Sequence, residues 1–234
     1  MRTKTPKPVS IAAALLLAAA GLATSSARAQ IDVVFIPASR AELYHADTYR
    51  SIWEDSGERI VAALESRTCM PFVEPTVWAR VEEDVSNSGG PDHPMRLRAS
   101  YARDVKASTL VHELGHRHLW QLGQRLPGID SHMTLFLILD RVWADVWGDS
   151  FASARIQGES SWDAEYEDAW AWAQALGPDR RMALWNRLLR INGFEGYCYG
   201  PTAVGTLTTR RLAVKTDAGA GASRPARGPA AAAQ

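Results

Sequence analysis

Five consecutive residues, His112-Glu113-Leu114-Gly115-His116, combine two histidines and a glutamate at a spacing that suits metal chemistry. On a helix, His112 and His116 are four residues apart and project from one face, so both imidazoles can reach one Zn²⁺ ion at about 2.0–2.1 Å. Glu113 lies beside them, where its carboxylate can take a proton from a water activated by the metal. The pattern predicts a zinc centre with its own general base.

The residues around this motif predict the helix that must carry it. Apolar residues recur at helical spacing at Leu110, Val111, Leu114 and Leu119. The helix is predicted from about Asp104, a candidate N-cap, to Leu122. Gly115 in its middle costs roughly 1 kcal/mol relative to alanine. A small residue there predicts that another segment packs closely against the helix.

The elements on either side predict an α+β fold. Before the motif, Ile31 to Pro37 predicts a strand, Thr48 to Arg67 an amphipathic helix, and the alternation across Met95 to Tyr101 a half-buried strand. After it, helices are predicted over about His132 to Ala154, Ala164 to Leu176 and Pro178 to Gly193, the first capped by Asp130 or Ser131. The expectation is a short N-terminal sheet, a motif helix and a mostly helical C-terminal half.

The stretch from Met95 to His116, a strand followed by the HExxH helix, resembles the upper part of a zincin metallopeptidase domain. The resemblance implies a zincin-like fold in which His112 and His116 bind zinc and Glu113 is the catalytic base. It also implies that the strand is the edge along which an extended peptide substrate pairs. The candidate substrate-binding residues are then Met95, Leu97, Ala99 and Tyr101.

The third ligand departs from the known zincin patterns. Leu119 and Leu122 occupy the positions where a metzincin has glycine and its last histidine, and no glutamate lies between Glu113 and Glu159. If the next helix starts near Asp130 and runs back antiparallel, at about 1.5 Å per residue, it reaches the level of the metal near positions 137 to 140. Asp140 is therefore the predicted third ligand, and His132, on the same helical face, is the alternative if the turn is wider. Asp145 would lie too deep and on another face.

Several other side chains could serve either the site or the packing of the fold. Tyr44, Tyr101 and Tyr197 could each donate a hydrogen bond to an oxyanion, and the sequence does not choose among them. His118 is expected on the surface or behind a ligand. The tryptophans at helical spacing predict core packing: Trp143, Trp147, Trp162, Trp170, Trp172 and Trp185.

The two cysteines, Cys69 and Cys198, predict one disulfide bond if the chain is exported. Two independent buried thiols are the alternative. Neither cysteine has a histidine or a second cysteine at short ligand spacing, which argues against a cysteine metal site.

The two ends of the chain predict export and a disordered tail. Residues 1–29 have a basic start, a short apolar run and an Ala27-Arg28-Ala29 cleavage site, as in a secretory signal. Residues 30–215 are the predicted metallopeptidase domain, and residues 216–234 are a low-complexity tail with too few apolar residues to fold. Because the signal removes four of the 26 basic residues and no acidic one, the mature chain has 22 basic and 26 acidic residues, a net charge of −4. This balance gives no sign of a nucleic-acid surface, and no second apolar run suggests a membrane span.

The sequence therefore predicts a periplasmic or secreted zinc-dependent hydrolase, with a peptide or protein as substrate and Glu113 as the base. The alternative is a zincin-fold envelope protein that binds metal or a partner without turnover. Three protein ligands plus water favour catalysis, whereas four protein ligands favour a structural site. The sequence defines neither the substrate nor the oligomeric state.

Overall fold

A computed structural model describes residues 31–90 and 92–194 of the chain. The proposed signal, the C-terminal tail, Tyr197 and Cys198 lie outside the described residues. The described part is an α+β structure in which three short strands and one long helix come first and six further α-helices follow. Its strands are β1 (Asp32–Pro37), β2 (Thr76–Glu82) and β3 (Met95–Arg98). Its α-helices are α1 (Leu43–Thr68), α2 (Arg103–Leu119), α3 (Ser131–Phe136), α4 (Leu139–Trp147), α5 (Asp149–Ser160), α6 (Ala164–Ala175) and α7 (Pro178–Ile191).

The three strands form one parallel sheet in the order β1-β2-β3. Alternate residues of each strand are buried, because side chains along a strand point to opposite faces. The buried face lies under α1, which packs against β1, and under α2, which packs against β3. The predicted alternation in β3 is confirmed, with Met95 and Leu97 fully buried, although the strand ends at Arg98 rather than Tyr101.

Helix α2 is tied to the end of β3 by a buried lysine. Lys106 is 2% exposed, and its ammonium group donates hydrogen bonds to the carbonyl oxygens of Ala99 and Tyr101. Burial lowers the pKa of Lys106. The N-cap is Ala102 and has no side-chain cap, so Asp104 lies in the first turn and not at the predicted cap. Lys106 therefore sets the position at which the motif helix leaves the sheet.

The long helix predicted over His132 to Ala154 is wrong, because the structure divides this stretch into α3, α4 and α5. Asp130 caps α3, its carboxylate accepting a hydrogen bond from the Met133 amide at 2.8 Å, as predicted. The chain turns at Leu137 and Ile138, and again at Gly148, whose φ of +91° favours glycine. Each turn redirects the chain, so residues after Phe136 do not continue along the face that carries His132.

The tryptophans contribute to the helical core, as predicted. Trp143, Trp170 and Trp185 are at most 2% exposed. The Trp170 ring stacks on Phe136 with their centroids 4.0 Å apart, so α6 is held directly against α3. Trp162 is the exception, since 41% of it is exposed. Within residues 31–90 and 92–194, no helix has both the length and the apolar character that crossing a bilayer requires.

Candidate metal centre

Helix α2 buries the motif because its apolar face lies in the core. Leu110, Val111 and Leu114 are at most 1% exposed, and His112 and Glu113 follow at 2% and 6%. A Cβ atom on Gly115 would lie 2.6 Å from Cδ1 of Leu135 in α3. Any larger residue here would require the Leu135 side chain to shift, so α3 packs closely on α2 at Gly115, as predicted.

Helix α3 supplies the third histidine. His132 lies in its first turn, and its ring centroid is 5.1 Å from that of His116 and 5.6 Å from that of His112. One potential ligand atom from each of His112, His116 and His132 lies within 4.8 Å of the other two. These three histidines could hold a metal ion.

The spacing of the His112 and His116 imidazoles fits a tetrahedral metal site. The Nε2 atoms of His112 and His116 are 3.2 Å apart. Two nitrogen ligands at about 2.0–2.1 Å from a tetrahedral metal would be about 3.4 Å apart. Three imidazole nitrogens are a donor set suited to zinc, copper, iron or nickel. The distance between His112 and His116 is thus close to that of two ligands of one such ion.

Two carboxylates orient the histidines from behind. Nδ1 of His112 is 3.1 Å from Oε1 of Glu159 in α5, and both side chains are buried. Nδ1 of His132 is 2.8 Å from Oε1 of Glu165 in α6. When Nδ1 donates to a carboxylate, the lone pair on Nε2 faces the metal, and the carboxylate makes the imidazole a stronger ligand. No local pattern in the sequence indicated Glu159, which lies 47 residues from His112.

Burial determines the electrostatics of the site. It lowers the pKa of His112 to about 3, with a smaller effect from His132, and lowers the pKa of His116 well below its usual value. Burial also raises the pKa of Glu113 to about 8, with the negative charge of Glu159 adding to the effect. Both histidines are therefore neutral at pH 7, which is the form that ligates metals. A divalent cation among them would favour the charged form of the nearby carboxylates.

The predicted ligand Asp140 is not part of the histidine group. Its two carboxylate oxygens accept hydrogen bonds from Nη1 of Arg181 in α7, at 2.9 and 2.8 Å. Asp145, the weaker candidate, pairs with Arg67. The structure thus favours the alternative, His132. The prediction assumed that the chain returns to the level of the metal only after two turns of helix beyond Asp130. In the structure, the connection between α2 and α3 makes this return, and His132 in the first turn of α3 is already level with the other two histidines.

The cleft in front of the three histidines has a volume of about 610 Å³. Its walls come from the segment before β3, from α2, from the connection between α2 and α3, and from α3, α6 and α7. Besides the three histidines and Glu113 they include Ser86, Asn87, Ser88, Trp120, Gln124, Arg125, Thr134, Tyr166 and Leu188. Glu113 and the three histidines thus form part of the lining of one cleft.

Tyr166 is a cleft residue that the sequence did not reveal. Its ring centroid is 4.5 Å from that of His132 and 5.8 Å from that of His112. Of the tyrosines considered from sequence, Tyr44 is 76% exposed on α1, and Tyr101 stacks on Trp162 at 6.3 Å. Neither lines the cleft. Tyr166 was missed because it reaches the site only when α6 packs on α3.

The predicted substrate edge on β3 is already paired at its centre. The amide and carbonyl of Arg96 exchange hydrogen bonds with those of Asn87, at 2.9 and 3.0 Å, and the Arg98 amide donates to Oγ of Ser86 at 3.0 Å. Met95, Leu97 and Ala99 point into the core, at 0–2% exposure. Segment 86–88 therefore separates β3 from the cleft, and a substrate cannot pair with Arg96 unless this segment moves.

Two further predictions concern residues near the end of α1 and in α2. Cys69 forms a disulfide bond, and its predicted partner, Cys198, lies outside the described residues. His118 is neither on the surface nor behind a ligand. It is 1% exposed, stacks on Phe72 at 4.9 Å, and lies 2.7 Å from Oγ1 of Thr68. It is a core residue that joins α2 to the end of α1.

Glu159→Gln is expected to weaken zinc binding by about 10- to 100-fold, the usual effect of losing a carboxylate behind a histidine ligand. Glu159 accepts from both His112 and Trp170, the latter at 3.1 Å. A glutamine has one acceptor oxygen, so one of these donors would face an amide NH₂ group. Competition with a chromophoric chelator measures the affinity. Glu165→Gln, at a carboxylate that is 64% exposed, is the matched control with a smaller expected loss. Equal affinities for Glu159→Gln and the unsubstituted protein would contradict this role.

Comparison of the chain with protein-family models, with curated proteins and with solved structures finds no match.

Proposed function

We propose that this chain is an exported zinc-dependent hydrolase of the zincin type, with the peptide bond as its target. The observation that carries the proposal is a carboxylate, Glu113, on the same open cleft as three histidines that could hold one metal ion. A structural zinc site has four protein ligands, whereas a catalytic one has three and leaves a position for water or substrate. The engagement of Asp140 by Arg181 supports the three-ligand arrangement.

A zinc ion held there would supply a water of lowered pKa, near 7, and a Lewis acid to polarise a carbonyl. Glu113 lies next to His112 in the sequence and faces the same cleft. Its carboxylate would take the proton of the attacking water and then donate it to the leaving amine. The buried Glu159 behind His112 and the more exposed Glu165 behind His132 would keep these imidazoles in one orientation during the proton transfers.

The proposal is tested on the purified exported chain by metal analysis and by digestion of a mixed peptide library, followed by mass spectrometry. We expect about one zinc per chain, cleavage that a chelator abolishes, and recovery when zinc is added back. A protein without stoichiometric metal would refute the proposal. A protein that holds zinc but cleaves no peptide would instead support the alternative, a metal-binding envelope protein without turnover.

Tyr166→Phe is expected to lower kcat by about 10²- to 10³-fold, the usual effect of removing one donor to an oxyanion. Its ring borders that of His132 on the cleft wall. We expect its hydroxyl to donate a hydrogen bond to the oxygen on which charge develops. Steady-state kinetics with a library-derived peptide measure the change, and Tyr44→Phe, at an exposed tyrosine outside the cleft, is the control. A kcat within twofold of that of the unsubstituted protein would remove Tyr166 from the mechanism.

A further inference from the structure

Arg125 is the cationic residue among those that line the cleft. It lies in the connection between α2 and α3 and is solvent-exposed. The described residues provide it with no acidic partner and no hydrogen-bond acceptor. Some arginines of the fold are paired, as Arg117 is with Glu74 and Arg181 with Asp140. The Arg125 guanidinium thus lines the cleft without an ion pair inside the described part of the fold.

The backbone that carries Arg125 is fixed on both sides. The amide of Gln124 donates to Oδ1 of Asn192 at 2.7 Å, and Nδ2 of Asn192 donates to the Gln124 carbonyl at 2.9 Å. On the other side, Leu126 is 4% exposed, and its carbonyl accepts from the Ile129 amide at 3.1 Å. Anchored residues on both sides fix the backbone from which the Arg125 side chain projects, so little backbone entropy is lost when it binds.

Few other charged residues of the cleft could form an ion pair with the guanidinium of Arg125. Beyond the histidines, the lining residues are mainly uncharged, and Glu113 is the acidic one. A guanidinium presents a planar fork of donors that matches a carboxylate, and such charge-assisted bonds are stronger than neutral ones. A peptide offers carboxylates at its C-terminus and on Asp or Glu side chains.

We propose that Arg125 binds a carboxylate of the substrate, so that the cleft selects peptides with a carboxylate close to the cleaved bond. This inference rests on the proposed function, because the metal and Arg125 must engage the same ligand. It assigns to the connection between α2 and α3 a role in specificity, separate from the proton transfers of Glu113.

The test uses three peptide hydroxamates, which bind the metal without being cleaved. The first ends in a free carboxylate, the second is its C-terminal amide, and the third is an amide with a glutamate at the last position. Calorimetry measures their Kd for the zinc-loaded unsubstituted chain, for Arg125→Gln and Arg125→Lys, and for Arg180→Gln. Arg180 is an exposed arginine of α7 outside the cleft and is the matched control.

We expect a carboxylate-bearing hydroxamate to bind the unsubstituted chain about 10- to 100-fold more tightly than the amide. Arg125→Gln should reduce this ratio to about one, Arg125→Lys should retain part of it, and Arg180→Gln should leave it intact. The first and third peptides distinguish a terminal carboxylate from a side-chain carboxylate. Equal binding of all three, or a preference that survives in Arg125→Gln, would overturn the inference and leave the metal proposal standing. A chain that holds no zinc would overturn both.

Discussion

Glu113→Gln is expected to lower kcat by about 10²- to 10⁴-fold, the range that a general base contributes, while the zinc content stays near one per chain. Glutamine has nearly the same size and shape as glutamate, but its amide cannot take the proton from the attacking water and pass it on. The three histidines are untouched by the change, so metal binding should persist. Kinetics on a library-derived peptide, with metal analysis of the same sample, measure the two properties together.

The control for this substitution is Glu58→Gln, at an exposed glutamate of α1 away from the cleft. It should retain both the activity and the zinc. If Glu113→Gln were as active as the unsubstituted chain on every peptide that the chain cleaves, Glu113 would not be the base. If it lost the zinc as well, its role would lie in the metal site rather than in proton transfer.

His132→Ala is expected to weaken zinc binding by more than 100-fold, which exceeds the usual effect of losing a residue that only supports a ligand. The substitution leaves two histidines, and the metal would lose one of its three protein ligands. Competition with a chromophoric chelator measures the affinity, and circular dichroism verifies that the variant is folded.

Asp140→Asn separates the two candidates for the third ligand. Because Arg181 holds Asp140 in a largely buried pair, this substitution should lower the free energy of unfolding by about 1–3 kcal/mol and leave the zinc affinity within twofold. Denaturant unfolding measures the first quantity, and chelator competition the second. Zinc loss in Asp140→Asn with retention in His132→Ala would reverse the assignment.

Local patterns in the sequence were enough to predict the motif helix and the elements next to it. The repeat of Leu110, Val111 and Leu114 defined the buried face of α2, and the four-residue spacing placed His112 and His116 together on it. Asp130 and Pro178 marked the starts of α3 and α7, because a capping carboxylate and a proline in the first turn act within a few residues. The alternation across β3 identified its core face for the same reason.

Breaks within a long apolar stretch were harder to predict. The residues from His132 to Ala154 are mostly compatible with a helix, and a single Gly148 costs only about 1 kcal/mol in one. Because this free-energy cost is small, tertiary packing decides whether the helix continues or breaks at Gly148. Here the stacking of Phe136 on Trp170 and the burial of Trp143 hold α3 and α4 against α6 in separate directions.

The sequence by itself determined the part of the centre that one helix can hold, namely His112, Glu113 and His116, since the helical repeat fixes their relative positions. Only the tertiary structure decided which other residues join them. His132 depends on the path of the connection after α2, Glu159 lies 47 residues from the histidine it orients, and Tyr166 depends on α6 packing over α3. These contacts follow from the burial of apolar surfaces far apart in the chain, and no short spacing in the sequence encodes them.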